Sequence, residues 1–324
     1  MSPGIGALCI GVALTIAPGA AEGRIVGAPS IARESCDTLR GGQTAAECIH
    51  TTTLLGVNAV LSGAVAGILQ WARGGELLHG FTRGALGGAL VYGGKRIAVG
   101  NTPGAGLAGR QIAAVGASIV HNASAGKGSF DELVIPAGLV DIHYSRGSSP
   151  STRVRLDLLT TAAFLYGLIE PAWHVEVGAR LSSGAPVFQV DDARPHEGRL
   201  WLGRTAAGVI LVRSDLANWL TTEHRRMILA HERVHLLQDD HLSIGVGRSL
   251  QHGLLTFVPG GERIDRRVDL GLHNLLTVAA ILLIDDYTDY PWELEARSLS
   301  WSDQVFGTPT GPGGIGPLHG AWAR

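Results

Sequence analysis

The chain of 324 residues carries 26 basic and 28 acidic side chains, scattered rather than clustered, so it lacks the one-sided positive field of a nucleic-acid binder and no nucleic-acid partner is expected. Only 17% of its residues are charged, against about a quarter in ordinary soluble domains, and its mean hydropathy is positive, which keeps membrane association open. The length supports one large or two ordinary domains with a core that needs no covalent staples.

The chain starts with an apolar run, LCIGVALTIAPGAAEG, from Leu8 to Gly23. Its length and its small-residue end suit a secretory signal over residues 1–22, cleaved near Ala20 to Ala21, although no Lys or Arg precedes Arg24. Export would leave Cys36 and Cys48 as the two remaining thiols, for which a disulfide is the simple expectation; two unpaired, inert cysteines are the alternative.

Residues 23–128 form a Gly/Ala-rich region expected to be helical. Thr53 to Ala72 is a charge-free run of twenty residues, long enough to span a bilayer, with Gly63 and Gly67 spaced as in closely approaching membrane helices. A buried helix rich in small residues reads the same way. Two further Gly-rich blocks, Gly80–Gly100 and Gly104–Gly126, are broken near their middles by Arg or Lys. A charge at mid-membrane costs about 2.5 to 3.5 kcal/mol, so these blocks are expected to be close-packed helices or hairpins rather than lone spans. The glycines of GNTPGAGLAG lack the Lys-Ser/Thr of a phosphate loop, and Asn122 sits in a glycosylation sequon by pattern only.

From about Glu132 to Val212 the texture changes to LVDIHY, TRVRLDL, WHVEVGARL, PVFQV and GVILV, separated by Gly, Ser, Pro and Asp. This reads as an antiparallel β-meander, with LTTAAFLYGLI ambiguous between strand and helix. After Ser214 the period becomes helical: TTEHRRMILAHERVHLLQ offers Thr222 as N-cap and an apolar stripe through Met227, Ile228, Val234 and Leu237. LGLHNLLTVAAILLIDDY reads as a buried core helix. DYPWELEARSLSW starts another helix, with Pro291 in its first turn, and the Gly/Pro-rich tail 307–324 is expected to be irregular.

LAHERVHLLQDDH, Leu229 to His241, carries the chemistry. Residues four apart share a helix face, so His231 and His235 can aim two imidazoles at one metal ion. Glu232 comes round beside them, where it can take a proton from a water activated by that ion. An exposed helix with solvated histidines is the plain alternative.

These residues resemble the zinc metallopeptidases called zincins, in which such a helix lies under an edge strand that pairs with an extended substrate. The resemblance covers Val209 to about Ser300, under a third of the chain. In metzincins the third ligand is a histidine at the position of His241. Here, however, Gln238 replaces the glycine that ends that helix, and no methionine follows Met227. In gluzincins the third ligand is a Glu on a later helix reading E-x-x-A-D or E-x-x-A-N. WELEARSLS matches with Glu293 and Ala296, about 58 residues after His235, while Arg297 replaces the acidic or amide residue.

The gluzincin resemblance implies His231, His235 and Glu293 as zinc ligands, with Glu295 as the fallback, and Glu232 as general base and acid. Some other acid, among Asp239, Asp285, Asp286 and Asp289, would buttress a ligand histidine. His273, Tyr287 or Tyr290 would stabilise the oxyanion. His224 could face the ligand side of the helix.

The resulting expectation is an α+β protein: a Gly/Ala-rich helical N-terminal half, an antiparallel β-rich middle and a zincin-like helical C-terminal part, the last two forming one domain over 129–306. Its function would be zinc-dependent hydrolysis of a peptide or protein substrate, in an exported, periplasmic or membrane-associated setting. The competing reading is a non-enzymatic cell-envelope or membrane protein with a structural metal or none.

Overall fold

A computed structural model describes residues 45–100, 102–147, 149–191, 203–214, 222–274 and 291–300. The signal-peptide reading, the pairing of Cys36, most of the apolar run after His273 and the C-terminal tail fall outside the described residues.

Both Gly-rich blocks are helices. They follow the charge-free run to give α1 (Ala45–Ala72), α2 (Leu77–Ala98) and α3 (Ala105–Ser124). Each mid-helix glycine costs about 1 kcal/mol of helix propensity relative to alanine. What offsets this is the approach of backbone to backbone. Gly80, Gly84 and Gly88, four residues apart on α2, face α1, and a Cβ on Gly84 would lie 2.6 Å from the Ser62 carbonyl. The other side of α2 meets α3 reciprocally: a Cβ on Gly87 would lie 2.6 Å from the Gly116 carbonyl, and one on Gly116 equally close to that of Gly87. Among the described residues, Thr51–Ala72 is the one helix long and apolar enough to cross a membrane by length and composition. It leaves Leu55, Val57, Val60, Leu61 and Trp71 exposed.

The β-rich middle is not one antiparallel meander. The meander reading holds for β1 (Glu132–Ala137), β2 (Val140–Ser145) and β3 (Ser151–Asp157), to which β8 (Val268–Asp269) adds in parallel. A second sheet has the order β4 (Trp173–Val175), β5 (Val187–Val190), β7 (Val209–Arg213), β6 (Gly203–Ala206), with β5 and β7 parallel.

Helices interrupt the expected strands for local reasons. Asp157 caps α4 (Leu158–Ile169), its carboxylate accepting from the Thr160 amide at 2.9 Å and the Thr160 hydroxyl at 2.6 Å, which settles LTTAAFLYGLI as helix. In WHVEVGARL only WHV pairs as a strand. The rest enters α5 (Val177–Ser183), which ends on Gly184 in the left-handed conformation.

The second sheet is covered on both faces, as a central parallel pair requires. One face, through Val187, Ile210 and Val212, packs with Ala113, Ala114 and Ala117 of α3 and with Ile228, Leu236 and Leu237 of α6 (Thr222–Leu242). The other, through Phe188, Val209 and Leu211, meets Phe164 and Trp173. Helix α6 runs on through a π-helical segment (Ser243–Gly247) into α7 (Arg248–Leu255). Then follow α8 (Gly261–Asp265) and, beyond residues outside the description, α9 (Pro291–Ser300). Arg110 of α3 clamps α6 with a two-pronged bond to Asp240, at 2.7 and 2.9 Å. The description as α+β is therefore correct.

Asn122 is wholly buried and its amide donates to the Ser129 and Glu132 carbonyls at 2.9 and 2.7 Å. The sequon is thus a pattern without an accessible side chain.

The glycine contacts make a paired prediction. Gly87→Ala should force α2 and α3 apart and destabilise by about 1 to 3 kcal/mol. Gly93→Ala, where a Cβ meets nothing within 4 Å, should be neutral or stabilising by up to about 1 kcal/mol. Urea unfolding of both variants checks this, and equal effects would contradict the packing account.

Candidate metal centre

His231 and His235 project from one face of α6 with ring centroids 4.6 Å apart, edge to face, and their Nε2 atoms 3.0 Å apart. Glu293, in the first turn of α9, places Oε2 3.0 Å from His235 Nε2 and Oε1 3.3 Å from His231 Nε2. A tetrahedral ion with ligands at about 2.1 Å has ligand-to-ligand edges of about 3.4 Å. The three side chains are therefore nearly at the spacing such an ion would impose. Among the described residues they are the one group of three or more His, Cys, Asp or Glu with ligand atoms so close together.

The orientation of His235 follows from its neighbours. The Gln238 amide nitrogen donates to the Trp292 carbonyl at 2.9 Å and to Glu295 Oε2 at 2.8 Å, so its carbonyl oxygen is the atom facing His235. That oxygen lies 2.8 Å from Nδ1, which must then donate. In a neutral ring this leaves Nε2 deprotonated, its lone pair turned to the point shared with His231 and Glu293. The group that orients His235 is thus an amide one turn along the same helix; of the acids expected for such work, Asp239 faces His273 and Asp285, Asp286 and Asp289 lie outside the described residues.

Glu295, the fallback ligand, is occupied elsewhere. Its Oε2 also accepts from Lys95 Nζ at 2.7 Å and its Oε1 from Asn58 Nδ2 at 2.7 Å. Both partners come from the N-terminal helices, and Lys95 donates to Asn58 Oδ1 as well, at 3.0 Å. Burial would raise the Glu295 pKa, but the Lys95 charge and the hydrogen bonds of Lys95, Gln238 and Asn58 outweigh it and hold the carboxyl below its ordinary range. Arg297 has its own partner, donating to Glu293 Oε1 at 3.1 Å. This leaves Oε2 of Glu293 as the oxygen nearest His235.

Glu232 is 3% exposed. Burial pushes its pKa up, and the charges of His231 and His235 recover only part of the shift. For Glu293 burial acts in the same direction, but the hydrogen bonds and charges of His231 and His235, when those rings are protonated, outweigh it and hold the carboxyl far below the usual carboxylate range. Glu232 is fixed by the Thr205 hydroxyl, 2.8 Å from Oε2 and 2.9 Å from its carbonyl oxygen. Thr205 lies on β6, the end strand of the second sheet. That strand comes so near because of Gly203, where a Cβ would lie 2.8 Å from Glu232 Oε1 and 2.7 Å from Ile228 Cγ2.

Other expected participants lie apart. His241, at the position of the metzincin third ligand, lies inside the helix, because Gln238 lets α6 continue to Leu242. Its Nε2 is 3.4 Å from Ser62 Oγ, and burial, with the Lys95 charge, pushes its pKa down to about 4. His273 Nε2 is 3.0 Å from Asp239 Oδ1, which accounts for both residues. His224 is not part of the group with His231 and His235. Tyr287, Tyr290, Asp285, Asp286 and Asp289 lie outside the described residues.

No family model, curated protein or solved structure matches this chain. The reading of the centre therefore rests on its own geometry.

Two outcomes are expected. Gln238→Leu should weaken metal binding about 10- to 100-fold by freeing the His235 ring, measured by competition with a chromophoric chelator; unchanged affinity would show that Gln238 does not orient the ring. His241, neutral in the fold, has its pKa lowered from about 6.5 to about 4, so the unfolded chain takes up the proton first. Stability should fall as pH drops through that interval, and His241→Gln should flatten this part of the pH–stability curve.

Proposed function

We propose that this chain is a zinc-dependent peptidase of gluzincin type, with His231, His235 and Glu293 as ligands and Glu232 as general base and acid. The observation that carries the reading is the meeting of a carboxylate from α9 with two histidines of α6 at tetrahedral spacing, next to a buried carboxylate that is not part of the trio. Two imidazoles and one carboxylate are a donor set that suits zinc and leaves a fourth position for substrate or water.

When bound, zinc would lower the pKa of a water towards neutrality and polarise a carbonyl. The protein's own groups do the rest. Glu232, raised in pKa by its burial, accepts a proton from the attacking water and returns it to the leaving amine nitrogen. Thr205 holds Glu232 in place. Strand β6 pairs with β7 on one side, and as the end strand it offers an extended peptide a backbone edge directly beside Glu232. Gln238 keeps the lone pair of His235 on the metal position. The exposed apolar side chains of α1 support a membrane-associated setting.

One observation favours the non-enzymatic reading: His231, Glu232 and Glu293 are each less than 5% exposed, as in closed structural metal sites. The two readings separate in a single experiment on the full chain, combining metal analysis with hydrolysis of a quenched fluorescent peptide library. The peptidase reading expects about one zinc per chain, lost in His231→Ala and Glu293→Ala. It also expects Glu232→Gln to keep the metal while losing at least about 100-fold in rate. Zinc that survives Glu293→Ala would sink the ligand assignment, and bound zinc with no hydrolysis by the wild-type chain would leave the structural reading standing.

A further inference from the structure

A cavity of about 330 Å³ lies over the first sheet, lined by none of the metal-centre residues. Its walls come from the end of α1, from α3, from the β2–β3 hairpin and from α7 and α8. Six cationic side chains line it, Arg73, Lys127, Arg153, Arg155, Arg248 and Arg266, against two carboxylates, Glu132 and Asp265. Arg266 pairs with Glu262 at 3.5 Å and Arg155 Nη2 donates to the Val268 carbonyl at 2.9 Å, but the two lining carboxylates are shared and pair only loosely with Arg155 and Arg248. Glu132 accepts from Lys127 at 2.7 Å and lies 3.8 Å from Arg248, while Asp265 lies 3.6 Å from Arg155 and accepts from Gln251 at 3.0 Å.

Several buried nitrogens in the walls have no hydrogen-bond partner: Arg155 Nε, Arg248 Nε and Nη1, His143 Nε2 and His121 Nδ1. Arg155 is 4% exposed and His143 8%. A charged donor buried without an acceptor is among the costlier defects a fold can carry, and folds rarely keep several in one place without a use for them. The histidines do not add to the charge. Burial and then the charge of Arg248, joined by Arg155, push His143 down to about 2, while burial is the main cause that brings His121 to about 4. Each remains a neutral ring: His121 turns its Nε2 towards Glu132, 3.4 Å away, while His143 can present an N–H to the cavity.

We propose that this cavity binds a phosphate-class oxyanion, held by the guanidinium groups of Arg155 and Arg248 and by His143. The planar forks of two arginines match the tetrahedral oxygens of a phosphate, which can accept from several donors at once. A group carrying more than one negative charge answers two adjacent guanidinium groups better than a single carboxylate does. The proposal is independent of zinc and of peptide hydrolysis.

The test uses the full chain. Inorganic phosphate and chloride are titrated at matched ionic strength, followed by thermal unfolding and calorimetry. In parallel, flotation is run with vesicles of phosphatidylglycerol or of phosphatidylcholine. Saturable binding of phosphate with a rise in Tm that chloride does not give is expected, about tenfold weaker in Arg248→Gln. Since a change at a buried arginine can impair folding, Arg153→Glu, at an exposed position on the cavity, is the second variant. It should fold as the wild type and bind phosphate more weakly. Flotation with phosphatidylglycerol alone, without binding of free phosphate and with the same dependence on Arg153, would assign the phosphate to a lipid headgroup. Equal effects of phosphate and chloride, wild-type binding by Arg153→Glu, or no binding of either source would overturn the proposal. Glu232→Gln should leave all these responses unchanged, so failure of the peptidase reading and failure of this one are separable.

Discussion

The buried carboxylate of Glu295 is the constraint around which the chain is arranged. A charge taken out of water is tolerable only if donors surround it, and removing one partner of such a pair typically costs about 3 to 5 kcal/mol. Here the donors are Lys95 of α2, Asn58 of α1 and Gln238 of α6. Four helices, two near the start of the chain and two more than a hundred residues later, must therefore arrive together or leave a charge stranded. The Gly-rich N-terminal helices, which carry none of the three clustered side chains, are joined to the candidate metal centre through this knot, and α9 is held where Glu293, two residues earlier, can reach the histidines.

The glycine interfaces make that arrival feasible. Lys95 sits beside Gly94 on α2, and α2 can approach both of its neighbours closely because glycines face each of them. With bulkier residues the helices would stand farther apart and the ammonium of Lys95 would no longer reach Glu295. Close packing, a buried ion pair and the presentation of Glu293 to the two histidines are thus one mechanical problem, solved partly by residues that have no side chain.

What could be read from the sequence divides along the range of the interactions. The α6 helix, the start of α9 at Pro291 and the β1–β3 hairpins announce themselves by local spacing, as does the shared face of His231 and His235. The Gly-rich blocks declared close packing by composition. By contrast, the parallel pairing of β5 with β7 and the division into two sheets depend on which faces are covered, which a continuous apolar run such as GVILV does not reveal. Asp157 ahead of Thr160 was a legible cap that strand-like alternation in the preceding residues overshadowed. The roles of Gln238, Thr205 and Gly203 depend on elements meeting across the fold. Gln238 did give a local signal, one helical turn after His235, but its place in the motif presents it as a lost glycine rather than as a gained amide.

The π-helical segment at Ser243–Gly247 joins α6 to α7 without a break, its flanking residues Leu242 and Arg248 keeping right-handed helical angles. His231 and Arg248 therefore lie on one unbroken helical path, with about 25 Å of rise along it at about 1.5 Å per residue. The candidate metal centre and the cationic cavity thus share a single backbone element, so a change in the winding of the π-helical segment would alter the placement of one relative to the other.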